Sequence, residues 1–177
     1  MPFTKEKNND IIFLMKTLVV YVSRTGHCRT IAQIVSELTN AEVLEVIDRV
    51  DRAGKLGFLK AGASAAKKET SEIEYRAVNF EQVERLILVQ PMWAFSLCPP
   101  MRAWVSENKT HLENLAVGLI VSHLGTNPLR IKAQFEKEFS PLQAFCSLRD
   151  KDSLEEKERT IRKFLASFND SRDASRL

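Results

Sequence analysis

The sequence predicts a three-layer α/β fold in which helices cover both faces of a five-stranded parallel sheet. Two observations favour this fold class. Short apolar runs alternate along the chain with longer segments in which apolar residues recur three and four positions apart. Three of the runs contain no alternating polar residues, which is typical of strands buried on both faces of a parallel sheet. Alternation of this kind predicts a doubly wound sheet rather than separate α and β regions.

The five strands are predicted from these runs and from two further segments. Apolar and acidic residues alternate over residues 41–47, which indicates an edge strand. The last strand is expected at residues 142–148. Three buried strands are expected at residues 17–22, 85–90 and 115–122.

The five helices are predicted from apolar spacing and from signals at their ends. Pro99 and Pro100 can open the third helix, because a missing N–H is harmless in a first turn. Ser153 and Glu156 have the spacing of a capping box for the last helix. Residues 69–84 are expected to be loop. The apolar faces are formed by Ile31, Ile34, Val35 and Leu38; by Leu56, Leu59, Ala63 and Ala66; by Met101, Trp104 and Val105; by Ile131, Phe135 and Phe139; and by Leu154, Ile161, Phe164, Leu165 and Phe168.

Composition and charge narrow the possible functions. The chain has 177 residues, the usual size of one domain, and its net charge is only +3. Its basic residues are spread along the sequence, unlike the clustered stripe of a nucleic-acid-binding protein. The three cysteines have no CxxC spacing, which disfavours disulfides and zinc and favours a reducing, cytoplasmic setting. No catalytic triad or metal-ligand pattern occurs, so neither a catalytic side chain nor a metal site is predicted.

The ends of the chain differ in character from its middle. Residues 15–169 are expected to form the domain, because Met15 begins a run that leads directly into the first strand. Residues 1–14 are expected to be a peripheral extension and residues 170–177 a frayed polar tail. The apolar segment 11–22 is too short to span a bilayer, so no membrane span is predicted.

The turn after the first strand predicts an anion site. Residues 23–28 (SRTGHC) lie between a buried strand and a helix N-terminus, where unpaired N–H groups and the helix dipole favour an anion. The spacing fits neither the Walker A pattern nor GxGxxG, which disfavours ATP and dinucleotides. On these residues alone, a strand-to-helix connection capped by Ser or Thr explains the turn equally well.

The order of motifs resembles the flavodoxin-like family over about residues 16–168. The segment VYVSRTGHCRTIA resembles the family's phosphate loop, a T/S-x-T-G-x-T pattern after the first strand. QPMWAFSLCPPMRAWV resembles the loop after the third strand, where a tryptophan precedes a helix. GKLGFLKAGASAA is similar to a segment of one uncharacterised subgroup of flavodoxin-family proteins.

This resemblance implies a sheet of order 2-1-3-4-5 and a non-covalently bound FMN. The phosphate is expected on Ser23, Arg24, Thr25, Gly26, His27 and Cys28. The isoalloxazine ring is expected between two further turns, formed by Pro91, Met92, Trp93, Ala94, Phe95 and Ser96 and by Ser122, His123 and Gly125.

Individual residues in these turns carry competing interpretations. Trp93 is expected to stack on the flavin ring, with packing of the loop onto the sheet as the alternative. His123 is either a proton donor at the flavin edge or an exposed loop histidine. The family has Thr or Ser where Cys28 stands, and a thiol is a poorer donor, so FMN is expected to bind more weakly. A helix N-terminus could instead lower the pKa of Cys28. Cys98 and Cys146 are expected to be small buried apolar groups.

The resemblance implies an FMN protein that acts in electron transfer or as an NAD(P)H-dependent reductase of a quinone or a similar small acceptor. Its partner would be a small-molecule or protein redox partner, and the protein a monomer or a homodimer. The net charge of +3 favours the reductase, because carriers that dock on basic partners are acidic. Cys28 keeps open the alternative of a flavin-free domain that acts by binding another protein.

Overall fold

The computed structural model describes residues 16–51 and 54–173. Within these residues the chain forms seven strands and six helices, with a 3₁₀ turn at Phe80–Gln82. In chain order the elements are β1 (Lys16–Tyr21), α1 (His27–Thr39), β2 (Glu42–Glu45), β3 (Ile47–Asp48), α2 (Gly54–Ala66), β4 (Ile73–Glu74), β5 (Val83–Pro91), α3 (Pro99–Glu107), α4 (Lys109–Leu112), β6 (Ala116–His123), α5 (Leu129–Glu138), β7 (Ala144–Arg149) and α6 (Leu154–Asp173).

The main sheet has five parallel strands in the order β2-β1-β5-β6-β7. Along the chain these are the second, first, third, fourth and fifth strands of the sheet, so both the predicted fold class and the predicted order are confirmed. Val20 at the middle of β1 lies opposite Leu44 on β2 and Leu88 on β5. All three side chains are buried, as expected when helices cover both faces of the sheet.

Two apolar cores flank the sheet. On one face, Ile31 and Val35 of α1 pack with Ile161 and Phe164 of α6. On the other, α2, α3 and α5 share a second core, in which Trp104 is completely buried. Trp104 is therefore a packing residue, as predicted.

A second, two-stranded sheet was not predicted. Val46 donates its N–H to the Tyr21 carbonyl at 2.8 Å, and the chain then leaves the main sheet. Ile47 and Asp48 pair antiparallel with Glu74 and Ile73. The prediction of one strand over residues 41–47 and of loop over 69–84 was therefore partly wrong, because two-residue strands are too short to show a periodicity.

The predicted apolar face of α2 is the wrong face. Leu56 and Leu59 are 74% and 67% exposed. Gly57, Ala61 and Ala65, spaced four apart, are buried instead. Small side chains let this helix approach the core closely, and counting large apolar residues cannot detect that arrangement.

The start of α6 agrees with its sequence signal, whereas its end does not. Ser153 donates its N–H to Glu156 Oε2 at 2.8 Å and accepts the Glu156 N–H on Oγ at 3.2 Å, which confirms the capping box. Helix α6 continues to Asp173, four residues into the expected tail. The expected extension 1–14 and residues 174–177 lie outside the described residues. Within those residues, no helix is both long and apolar enough to cross a membrane.

Candidate functional site

The turns that follow β1, β5 and β6 meet at the carboxyl edge of the sheet. Met92 donates its N–H to the Ser122 carbonyl at 2.8 Å, which joins the second and third turns. Pro91 lies opposite Ser122 in the sheet register. The residues after β7 join the same edge, because Asp150 donates its N–H to the His123 carbonyl at 2.9 Å. Ligands of parallel sheets bind at such an edge.

The first turn leaves backbone donors at the start of α1. Gly26 has φ +94°, a left-handed conformation that favours glycine, and its N–H bonds to Ser23 Oγ at 3.1 Å. The first intrahelical bond runs from Thr30 N–H to the Gly26 carbonyl at 3.0 Å. The N–H groups of His27, Cys28 and Arg29 precede that bond and so have no helical partner. They can therefore receive an anion.

The charges around this turn are arranged unevenly. The first turn of α1 contains no acidic side chain. Arg24 and Arg29 are both exposed, and Arg29 bonds to the Tyr21 hydroxyl at 3.2 Å and to Glu45 at 2.7 Å. His27 Nε2 lies 3.9 Å from Asp150 Oδ2, so one carboxylate approaches the turn from the side of β7.

A cavity of about 450 Å³ joins the first and second turns. Its wall includes Ser23, Arg24 and Thr25 from the first turn and Trp93 from the second. Residues of both predicted turns thus face one space. Sequence reasoning missed the opposite wall, which consists of Glu45, Val46, Ile47, Asp48 and Val50.

The second turn holds Trp93 in a strained backbone. Ser96 donates its N–H to the Trp93 carbonyl at 3.0 Å, and between them Ala94 and Phe95 both have positive φ, +47° and +59°. Each left-handed non-glycine residue costs about 1–2 kcal/mol. Trp93 is buried, while Phe95 is 46% exposed.

A second cavity, of about 420 Å³, also has Trp93 in its wall. Met92 and Ala94 line it together with Leu59, Ala61, Gly62 and Ala63 of α2. The lining contains no ionisable side chain. Trp93 therefore borders both a polar and an apolar cavity.

Ser96 directs its hydroxyl toward helices rather than toward either cavity. Its Oγ donates to Gln134 Oε1 of α5 at 3.0 Å and accepts from Arg102 Nη2 of α3 at 3.5 Å. The side chain is buried. The Ser96 hydroxyl is therefore placed to hold the second turn against α3 and α5.

The third turn is more enclosed than a simple surface loop. Ser122 Oγ donates to Asp150 Oδ1, and the Gly125 N–H donates to His123 Nδ1 at 3.1 Å. His123 is buried, so its interpretation as an exposed loop histidine was wrong. Burial lowers the pKa of His123, although Asp150 and Asp152 oppose that shift. Gly125 has φ +132°.

The thiol of Cys28 lies in the core beneath α1. The residue is 2% exposed, and burial raises the pKa of the thiol well above its usual value. A low-pKa thiol at this helix N-terminus was therefore a wrong expectation, because burial outweighs the helix dipole. Cys98 is fully buried and Cys146 partly buried, as small apolar groups.

Asp150 is the most informative residue that sequence reasoning missed. It contacts His27 of the first turn and Ser122 of the third, and its carbonyl accepts from the buried Lys157 Nζ at 2.9 Å. Its position shortly after the last predicted strand, at the same edge of the sheet as the other turns, is the sequence feature that could have identified it.

Known proteins match this chain in structure rather than in sequence. No protein-family model matches, and no curated protein matches significantly. A flavoprotein from Lactobacillus acidophilus NCFM in complex with FMN has a TM-score of 0.66 at 18% identity, covering 85% of this chain and 99% of that one. A candidate flavoprotein from Bacteroides eggerthii DSM 20697 has 0.69 at 14% identity, covering 87% and 98%. A flavodoxin from the domain Archaea has 0.54 at 13% identity, covering 89% and 99%. The chain therefore has a flavodoxin-like fold, shared with these flavoproteins at low sequence identity.

Proposed function

We propose that this protein binds FMN and acts in electron transfer or as an NAD(P)H-dependent reductase of a quinone or a similar small acceptor. One observation carries the proposal: Ser23, Arg24 and Thr25 line the same cavity as Trp93. A ligand with an anionic end and a flat aromatic end matches these two walls. The neighbour in complex with FMN supports this ligand.

The residues of the first turn fit a phosphate. The N–H groups of His27, Cys28 and Arg29 would donate to its oxygens, joined by the hydroxyls of Ser23 and Thr25. Ser23 Oγ accepts from Gly26, so its own proton stays free for a ligand. Trp93 would contact the ring, and FMN when bound supplies one- and two-electron transfer.

The apolar cavity supports a small acceptor. It borders the same indole as the polar cavity, so an uncharged flat molecule there would lie near a ring that contacts Trp93. The net charge of +3 agrees with this, because carriers that dock on basic partners are acidic overall.

Comparing FMN with riboflavin tests the phosphate assignment, since the two differ in the phosphate group alone. Thr25→Val should weaken FMN at least about tenfold, the effect of losing about 1.4 kcal/mol from a charge-assisted bond. Riboflavin affinity should stay unchanged. Thr110→Val, in α4, is the matched control and should leave both affinities unchanged. Fluorescence titration measures each dissociation constant, and an unchanged FMN constant for Thr25→Val would contradict the assignment.

The flavin-free alternative has its own outcome. A purified protein that is colourless and cannot be reconstituted with FMN would favour a domain that acts by binding another protein. Visible flavin absorbance that is released as FMN on denaturation would rule that alternative out.

The electron donor is tested under anaerobic conditions. NADH or NADPH should bleach the flavin absorbance of the loaded protein, and an added quinone should restore it. A flavin that either nucleotide fails to reduce, but that dithionite reduces, would favour the electron carrier over the reductase.

A further inference from the structure

The turn that presents Trp93 is connected to an ion pair between buried Arg102 and partly buried Glu138. Arg102 of α3 donates through Nη2 to Ser96 Oγ and through Nη1 to Glu138 Oε2 of α5, at 3.5 and 2.5 Å. Ser96 Oγ in turn donates to Gln134 of the same helix. One serine hydroxyl therefore fastens the turn to two helices.

The Arg102 side chain is enclosed by its surroundings. It is only 6% exposed, and its guanidinium lies 5.9 Å from the centre of the Phe139 ring. Within the described residues, its buried Nε has no hydrogen-bond partner.

Glu138 keeps the pair ionic. Burial raises the pKa of its carboxyl, but hydrogen bonds from Lys68 and Arg102 outweigh burial and leave the pKa below its usual value. Both Glu138 oxygens are engaged, one by Lys68 and one by Arg102. Arg102 is thus held from the side opposite Ser96.

The turn itself needs outside support. Ala94 and Phe95 both adopt the left-handed region that favours glycine, and two such residues in succession are typical of Asn-Gly turns instead. Residues in such conformations persist only where their surroundings over-determine them. The contacts of Ser96 with Arg102 and Gln134 lie directly at the end of this pair.

We propose that Arg102 is a positioning residue: acting through Ser96, it holds the 93–96 turn in its left-handed conformation and fixes Trp93 between the two cavities. This inference rests on the proposed function only in its assumption that Trp93 contacts the flavin. The position of Trp93 in the flavin-free protein can be measured independently.

The first test uses the indole N–H resonances of the flavin-free protein in ¹H–¹⁵N NMR spectra. The chain has two tryptophans, and Trp93→Phe assigns the signals. Ser96→Ala should shift or broaden the Trp93 resonance and leave that of Trp104 in place. Ser36→Ala is the matched control, since its hydroxyl bonds to the Ala41 carbonyl away from the site. An unmoved Trp93 resonance in Ser96→Ala would overturn the proposal.

Arg102 variants test the source of the support. Arg102→Met should reproduce the change of the Trp93 resonance, and Arg102→Lys should restore part of the native spectrum because it keeps the charge beside Glu138. If Arg102→Met fails to fold, Arg102→Lys and Ser96→Ala still give the answer. Native Trp93 signals in a folded Arg102→Met protein would contradict the role of Arg102.

Flavin affinity separates this inference from the proposed function. Ser96→Ala should weaken FMN and riboflavin by the same factor, at least threefold, because the turn meets the ring and not the phosphate. Weakening of FMN alone would contradict the inference while preserving the phosphate site. A native protein that binds neither flavin would defeat the proposed function, and the NMR result would still decide the role of Arg102.

Replacing the two left-handed residues by glycine tests whether backbone strain makes this turn depend on Arg102. When Ala94 and Phe95 are both replaced by Gly, the left-handed turn no longer depends on outside contacts, so Ser96→Ala should move the Trp93 resonance less than in the native background. An equal or larger shift would show that Arg102 does not act against strain in this turn.

Discussion

The Gly26 amide donates to the Ser23 hydroxyl at 3.1 Å, and this bond closes the connection between β1 and α1. The N–H groups of His27, Cys28 and Arg29 follow this bond in the first turn of α1 and have no helical partner. Gly26 has φ +94°, so its backbone conformation shapes the turn in which we propose the phosphate to bind. The same conformation can be tested through stability.

Gly26→Ala should destabilise the protein by about 1–2 kcal/mol, because an L side chain is unfavourable in the left-handed region. A Cβ at this position would meet no atom within 4 Å, so the cost is purely conformational. Gly62→Ala is the matched control, with equally open space and no positive φ. In helix α2 it should stabilise by about 0.5–1 kcal/mol. Urea denaturation measures both, and equal effects would contradict the assignment.

Gly118→Ala should destabilise the protein for a different reason. A Cβ on this β6 residue would lie 2.7 Å from the ring of Phe164, a buried residue of α6. Overpacking of this kind costs about 1–3 kcal/mol. Phe164→Leu in the same chain should recover part of the loss. If the double variant lost more stability than the two single variants lose together, the contact between this Cβ and the Phe164 ring would not be the cause.

Acid should weaken the fold through His123. Burial lowers the pKa of His123, so just below its ordinary value of about 6.5 the unfolded chain binds a proton that the folded chain does not. Stability should therefore fall as the pH drops through this window. His123→Gln should reduce the slope, because the amide does not titrate. Urea denaturation at several pH values measures it, and identical slopes would refute the prediction.

Cys28 should resist alkylation in the folded protein. Its thiol is buried with a raised pKa, and the thiolate is the reactive form. Iodoacetamide at neutral pH should modify Cys28 only after denaturant is added, as judged by peptide mass spectrometry. Modification under native conditions at the rate seen in denaturant would contradict the buried position of the thiol.

The architecture could be predicted because its strands are long enough to show their pattern. Residues 86–89, for example, are apolar without interruption, which is typical of a strand covered on both faces. The buried face of α2 could not be predicted, because Ala61 and Ala65 pack in the core through their small size. Leu56 and Leu59 are larger and more hydrophobic than these alanines, yet they are exposed.

The candidate site was predictable only in part. The first turn and Trp93 stand next to clear strand ends, and the structure brings them to one cavity. The tie from Ser96 to Arg102 joins residues six apart across a turn and a helix start, and no periodicity reports it. The pKa values of His123 and Cys28 depend on their burial in the folded protein and on the charge of Asp150, which is distant in sequence from both.

The short pairing of β3 with β4 has a consequence for how this chain can vary. It places Asp48 directly opposite Ile73, so the two ends of the segment 49–72 lie next to each other. Changing the length of a segment whose ends are already joined costs little closure entropy. Such changes would alter the wall of the apolar cavity, while Ala61 and Ala65 of α2 must stay in place because they belong to the core.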